Sequence, residues 1–140
     1  MKIAVAGIGY VGLSIAVLLA QRHRVMALDV NPARVAQLNA RQSPIQDPDI
    51  EAFLATRDLD LTASTDSAAV MTGADVVVIA TPTSYDPKTN RFDTASVEDV
   101  AAQARQLAPG ATIIIKSTIP VGFTAALNAR LGTDSIIFSP

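Results

Sequence analysis

Three glycines at fixed spacing, in the run Gly7, Ile8, Gly9, Tyr10, Val11, Gly12, are the residues of this chain that point most directly to chemistry. They follow an apolar run, Lys2 to Ala6, and precede an apolar helical pattern. In that setting G-x-G-x-x-G is a dinucleotide-binding fingerprint. Gly7 allows the tight turn, Gly9 lets the backbone approach a pyrophosphate, and Gly12 lets the helix pack closely on the strand. The free N–H groups at the helix N-terminus then face the phosphates. A second apolar run, Val25 to Leu28, closes on Asp29. That lies at the ~20-residue offset expected for the acid that takes the ribose hydroxyls. A carboxylate there repels a 2′-phosphate, so the cofactor expected is NAD rather than NADP. Arg34 complicates this, because a nearby cation would tolerate that phosphate. It reads either as a residue on the adenosine side of the site or as a solvated helix position.

Two hydroxyl-bearing turns form the second group. Asp75 leads into Val76 to Ala80, a β-branched run of the kind buried on both faces in a central parallel strand, and it ends in Thr81, Pro82 and Thr83. In an open doubly wound sheet, ligands lie beyond the carboxyl ends of the strands where strand order reverses. That places Thr81 and Thr83 beside the cofactor; a plain Thr-Pro turn is the alternative. The second turn, Lys116 to Thr124, follows an apolar strand, Thr112 to Ile115, and puts Lys116, Ser117 and Thr118 in a turn shaped by Pro120 and Gly122. Hydroxyls and a lysine there suggest a reactive position.

The elements that must position these groups are legible in outline. Val11, Ile15, Leu18 and Leu19 fall on one face of the first helix. Asn31 and Pro32 open a short helix to about Ala40, and Ser43 to Pro48 is a turn-rich break. Asp47 caps a helix burying Ile50, Phe53 and Leu54. A short third strand is expected around Leu61 to Ala63, and Asp66 caps the next helix, which Gly73 stops. Ser84 to Asp93 reads as a polar loop. Val97, Val100, Ala101, Ala104 and Leu107 form a core stripe of a helix, Phe123, Leu127 and Leu131 another, and Ser135 to Phe138 a sixth strand. The fold class is α/β: a Rossmann-type doubly wound, six-stranded parallel sheet in the order 3-2-1-4-5-6, with helices on both faces.

Composition narrows the function classes. The 140 residues suit one domain, 49% are apolar, and only 4% are aromatic, as expected for parallel strands covered on both faces. A net charge of −2 without a basic block argues against a nucleic-acid or membrane-binding surface. Zero cysteines remove disulfides, cysteine-ligated zinc and thiol catalysis from this chain. The single histidine, His23, lies between Arg22 and Arg24 and reads as a solvated turn, so no metal site is expected. Ile3 to Ala20 is uncharged and follows a lysine, which raises a signal-peptide or membrane reading. Three glycines at fingerprint spacing and a second strand where a βαβ unit needs one argue against it.

Lys2 to Gly12, Ser43 to Asp47, Ile79 to Thr83, Phe92 to Thr94, Lys116 to Thr124 and Ile136 to Pro140 together resemble the nucleotide-sugar dehydrogenase family, most of all its branch acting on UDP-glucose. The resemblance runs end to end; the glycine motif is shared by many dehydrogenases, whereas the run KSTIPVGFT and the SPIQD insertion are far more specific. It implies a four-electron oxidation of UDP-glucose to UDP-glucuronate with two NAD and one water, through a cysteine-bound thiohemiacetal and thioester. Carried over by motif, Gly7, Gly9, Tyr10, Val11 and Gly12 hold the pyrophosphate, and Asp29 with Arg34 binds the adenosine ribose region. Thr83 and Thr118 contact the cofactor, and Thr118 also positions the catalytic water. The family commonly has lysine at the Arg34 position. This chain also lacks the family's cysteine, its central helix and its C-terminal UDP-binding domain.

The expectation is therefore an NAD-binding Rossmann domain over residues 1–140, the N-terminal part of a longer cytoplasmic, homodimeric enzyme with a UDP-sugar substrate. Alone, it binds NAD without turning over. Two alternatives stay open: a domain of another nucleotide-sugar dehydrogenase, acting on UDP-N-acetylmannosamine or GDP-mannose, and a stand-alone NAD-sensing regulatory module. KSTIPVGFT disfavours the sensor, which has no need of a hydroxyl-bearing turn where the nicotinamide would sit.

Overall fold

Apolar runs bounded by glycine, proline and capping residues set the order of elements in the computed structural model, which describes residues 1–140. The order is β1 (Lys2–Ala6), α1 (Tyr10–Leu19), β2 (Arg24–Leu28), α2 (Pro32–Asn39), α3 (Pro48–Thr56), β3 (Leu61–Ser64), α4 (Ser67–Met71) and β4 (Val76–Ile79). Then come β5 (Ser84–Asp86), β6 (Arg91–Asp93), α5 (Ala95–Leu107), β7 (Thr112–Ile115), α6 (Phe123–Leu131) and β8 (Ile136–Phe138). The expected helix starts carry their caps. Asn31 Oδ1 accepts from Ala33 N at 2.9 Å, Asp47 Oδ1 from Asp49 N at 2.9 Å, and Asp66 Oδ1 from Ala68 N at 3.0 Å.

The main sheet runs β3-β2-β1-β4-β7-β8, and every pairing is parallel. This is the expected order 3-2-1-4-5-6, with β5 and β6 taking two numbers outside the sheet. β1 pairs on both sides, Ala4 opposite Met26 and Val77, so strand order reverses between β1 and β4. Alternate residues of the strands serve two separate cores. Ile3, Val5, Val25, Ala27 and Val78 meet α1, α2 and α3 through Leu13, Val17, Leu38, Ile50 and Leu54. On the other face, Ala4, Ala6, Val77, Ile79 and Ile113 meet α4, α5 and α6 through Val70, Met71, Val97, Ala101 and Leu127. Removing one such side chain fully from water stabilises by about 1.5–3 kcal/mol.

Two expectations are corrected. The first helix does not bury all four of Val11, Ile15, Leu18 and Leu19: Ile15 and Leu19 pack partly buried against the core, but Val11 is 51% and Leu18 59% exposed. It buries Gly12, Leu13, Ala16 and Val17 instead. Apolar residues surround this helix almost completely, so spacing alone does not choose a face. Gly12 chooses it, because a Cβ there would lie 1.9 Å from the Gly7 carbonyl oxygen. The segment expected to be a polar loop, Ser84 to Asp93, is an antiparallel hairpin in which Ser84 faces Asp93 and Asp86 faces Arg91. Tyr85 and Phe92 pair across it with ring centroids 5.2 Å apart, and Asn90 takes a left-handed φ of 55° in the turn. Its strands are too short for period-two alternation to register in the sequence.

Candidate functional site

The carboxyl ends of β1, β2, β4 and β7 converge on the glycine loop. Gly7 has φ +103°, and its N–H donates to Leu28 O at 2.8 Å. A Cβ at Gly7 would stand 2.5 Å from Ala80 O, so both the turn and the neighbouring strand require glycine. Gly9 differs in kind. It is the N-cap of α1 in extended conformation, and a Cβ there would meet nothing within 4 Å. Nothing in the chain itself demands glycine at this position, whereas a ligand lying against the backbone would. No side chain caps α1, which leaves its first-turn N–H groups for an anion. Tyr10 and Val11 occupy that first turn and are exposed.

Asp29 and Arg34 both grip the loop. Asp29 Oδ2 accepts from Ile8 N at 3.0 Å while its Oδ1 accepts from Asn31 N at 2.9 Å. Arg34 Nη1 donates to Ile8 O at 3.3 Å, so the same residue is held at its N–H and at its carbonyl. The two side chains do not pair with each other; the chain's ion pair within 4.0 Å is Arg130 with Glu98. Each carboxylate oxygen of Asp29 has a further lone-pair direction for a hydroxyl donor.

The hydroxyl turns come together as their spacing suggests. Thr83 Oγ1 donates to Thr118 O at 2.7 Å, joining the ends of β4 and β7. Ser117 faces inward: it is the one buried polar residue, and its Oγ donates to Thr81 O at 2.6 Å. Ser96 Oγ donates to Thr81 Oγ1 at 3.0 Å. Ser117 therefore ties the ends of β7 and β4 together and Ser96 ties α5 to the end of β4, and Thr118 is left as the exposed hydroxyl of the turn. His23 lies at the amino end of β2, on the opposite edge of the sheet from this site.

Beside the loop lies a cavity of about 320 Å³ lined by Asp29, by Leu28, Val30, Pro82 and Val100, and by polar Thr65, Ser67, Ser96 and Asp99. Gln103 of α5 also lines it. Its Oε1 is sealed from solvent and therefore is not part of the cavity's accessible wall; like Arg105 Nε on the same helix, it meets no partner in the chain. Gly9's open face, the free amides of α1 and Asp29's spare lone pairs beside this cavity fit a dinucleotide.

The UDP-glucose/GDP-mannose dehydrogenase family, NAD binding domain, matches residues 1–135. The chain belongs to this family. Its cofactor is NAD, the dinucleotide that the site fits. A UDP-glucose 6-dehydrogenase of Streptococcus pneumoniae is 50% identical over 140 residues, covering all of this chain and 36% of the relative. One from Campylobacter jejuni is 38% identical over 142 residues, with the same coverage. Among solved structures, a UDP-glucose dehydrogenase from Pyrobaculum islandicum superposes with a TM-score of 0.80 at 30% identity, covering 99% of this chain and 34% of that one. The chain thus spans about a third of the length of the relatives it matches. No helix is long and apolar enough to cross a membrane.

Proposed function

We propose that residues 1–140 are the NAD-binding domain of a cytoplasmic, homodimeric UDP-glucose 6-dehydrogenase. Gly7, Gly9, Tyr10, Val11 and Gly12 hold the pyrophosphate, Asp29 and Arg34 the adenosine ribose. Thr83 and Thr118 lie toward the nicotinamide. The observation that carries this reading is the junction of Thr83 with Thr118, bonded at 2.7 Å, at the carboxyl edge that also presents the glycine loop. Identities of 50% and 38% to two UDP-glucose 6-dehydrogenases, each over the whole chain, support the choice of sugar.

In the overall reaction the C6 alcohol of UDP-glucose and one water become a carboxylate. Two hydrides pass to two NAD, and three protons are released. When bound, NAD supplies the hydride acceptor; everything else asked of this chain is positioning. The α1 amides and dipole fix the phosphates, and Asp29 excludes a 2′-phosphate by repulsion. The exposed Thr118 hydroxyl is free to hold a water by hydrogen bond. A chain without cysteine supplies no thiol nucleophile, so that group comes from elsewhere in the longer protein.

The test is spectrophotometric. The full-length protein should form two NADH per UDP-glucose and favour it over UDP-N-acetylmannosamine and GDP-mannose. Thr118→Ala should lower kcat at least about tenfold, within the range a positioned proton-transfer or water-holding group contributes. Preference for either other sugar, or an unchanged kcat in the variant, would overturn the assignment. The 140-residue chain alone should bind NAD by calorimetry and form no NADH.

A further inference from the structure

Ile79 and Ile115 are the last paired residues of β4 and β7. Beyond them no backbone hydrogen bond joins the turn at 81–83 to the turn at 117–121. Two side-chain bonds run crosswise instead. Ser117 Oγ, from the β7 side, donates to Thr81 O at 2.6 Å, and Thr83 Oγ1, from the β4 side, donates to Thr118 O at 2.7 Å. We infer that Ser117 is a positioning residue for the reaction: through its buried bond to Thr81 it sets where the Thr118 hydroxyl stands against the cofactor turn. This rests on the role proposed for Thr118 and deepens it.

The two bonds are not equivalent. That of Thr83 lies at the surface, where water competes for it, and the same hydroxyl is called on by the cofactor. Ser117 is 7% exposed, so its bond is shielded from water and from anything bound at the surface. Ile113 and Ile115, the alternate residues before it, are fully buried. An apolar side chain would continue that face at less cost, since a hydroxyl leaves water without penalty only when it is bonded. What the serine adds is the link between the turns.

Both ends of that link are stiff. Pro82 holds Thr81 to extended backbone, which fixes the accepting carbonyl, and Pro120 restricts Ile119 in the same way. Ile119 packs partly buried against the core. Thr118 therefore lies between two anchored neighbours, while its own side chain is exposed. Removing the Ser117 hydroxyl releases one anchor, and a displacement on the order of 1 Å near a reacting centre costs up to about 10²-fold in rate.

The experiment is a double-mutant cycle on kcat in the full-length protein, with Ser117→Ala, Thr118→Ala and the two combined. Ser117→Ala should lower kcat by about threefold to tenfold, the effect of one hydrogen bond. KM for NAD and for UDP-glucose should stay within about twofold. In the combined variant Ser117→Ala should cost nothing beyond Thr118→Ala, because a residue that acts through Thr118 then has nothing to position. Ser117→Cys matches the serine in shape but donates weakly; it should behave as Ser117→Ala, and it carries the test if the alanine variant fails to fold. An unchanged kcat in Ser117→Ala, a loss confined to KM, or an equal further loss on top of Thr118→Ala would overturn the inference. An unchanged kcat in Thr118→Ala would instead remove the role of Thr118 on which it rests.

Discussion

Gly9→Ala should separate binding from folding, because the chain and its ligand make opposite demands there. The backbone is extended, φ −92° and ψ −167°, which alanine adopts freely. The added methyl would meet no heavy atom within 4 Å. Two small effects act on stability: alanine is a poorer N-cap than glycine, and it restricts the unfolded chain more. They oppose each other, so stability should change by less than about 1 kcal/mol, and the melting temperature by only a few degrees. The ligand experiences something different. A phosphate held by the loop amides needs N···O distances of about 2.7–3.2 Å, and a methyl carbon keeps its neighbours at about 3.5–4.0 Å. Shifting the pyrophosphate outward by about 1 Å breaks one or two charge-assisted hydrogen bonds, each of about 1.5–3 kcal/mol. Affinity for NAD should therefore fall by between about tenfold, for one bond, and about 10⁴-fold, for two. Calorimetry with NAD, alongside a thermal melt, measures both. An unchanged Kd would refute the idea that the space over Gly9 is reserved for phosphate, and a collapsed melt would show that the fold needs this glycine after all.

Gly12→Ala should do the reverse in kind. Its Cβ would lie 1.9 Å from Gly7 O and 3.0 Å from Gly7 C, both backbone atoms, so α1 must move off β1. A loss of about 1–3 kcal/mol, typical of overpacking, should appear in denaturant unfolding, and native-like stability would contradict the packing described. Asp29→Asn keeps an acceptor for Ile8 N but removes the charge that repels a 2′-phosphate. The ratio of NAD to NADP affinity should fall at least about tenfold, and an unaltered ratio in a paired titration would show that selectivity lies elsewhere.

Legibility in the sequence followed how local the cause is. Asn31, Asp47 and Asp66 cap their helices within a few residues of themselves, and all three were readable. So was the parallel core, because Val76 to Ile79 is β-branched throughout. The buried face of α1 was not readable, since Val11 and Leu18 are as apolar as Leu13 and Val17, and the contact that decides between them joins Gly12 to Gly7 and Ala80 across the sheet. The hairpin from Ser84 to Asp93 was hidden for a related reason: Tyr85 and Phe92 gain their meaning only when paired. Within the candidate site, spacing singled out Gly7, Gly9, Gly12 and Asp29, and the structure brings Asp29 onto the glycine loop through Ile8 N. Thr83 and Thr118 required the order of strands, which brings residues far apart in the chain to one edge.

The double grip on Ile8 bears on when disorder is lost. Asp29 holds its N–H, Arg34 its carbonyl, and neither contact involves a ligand. The loop is consequently set in its receiving shape as the sheet forms, and its conformational entropy is surrendered to folding rather than to association. A dinucleotide arriving at this edge meets a surface already arranged, and the free energy of its contacts goes into affinity instead of into ordering the loop.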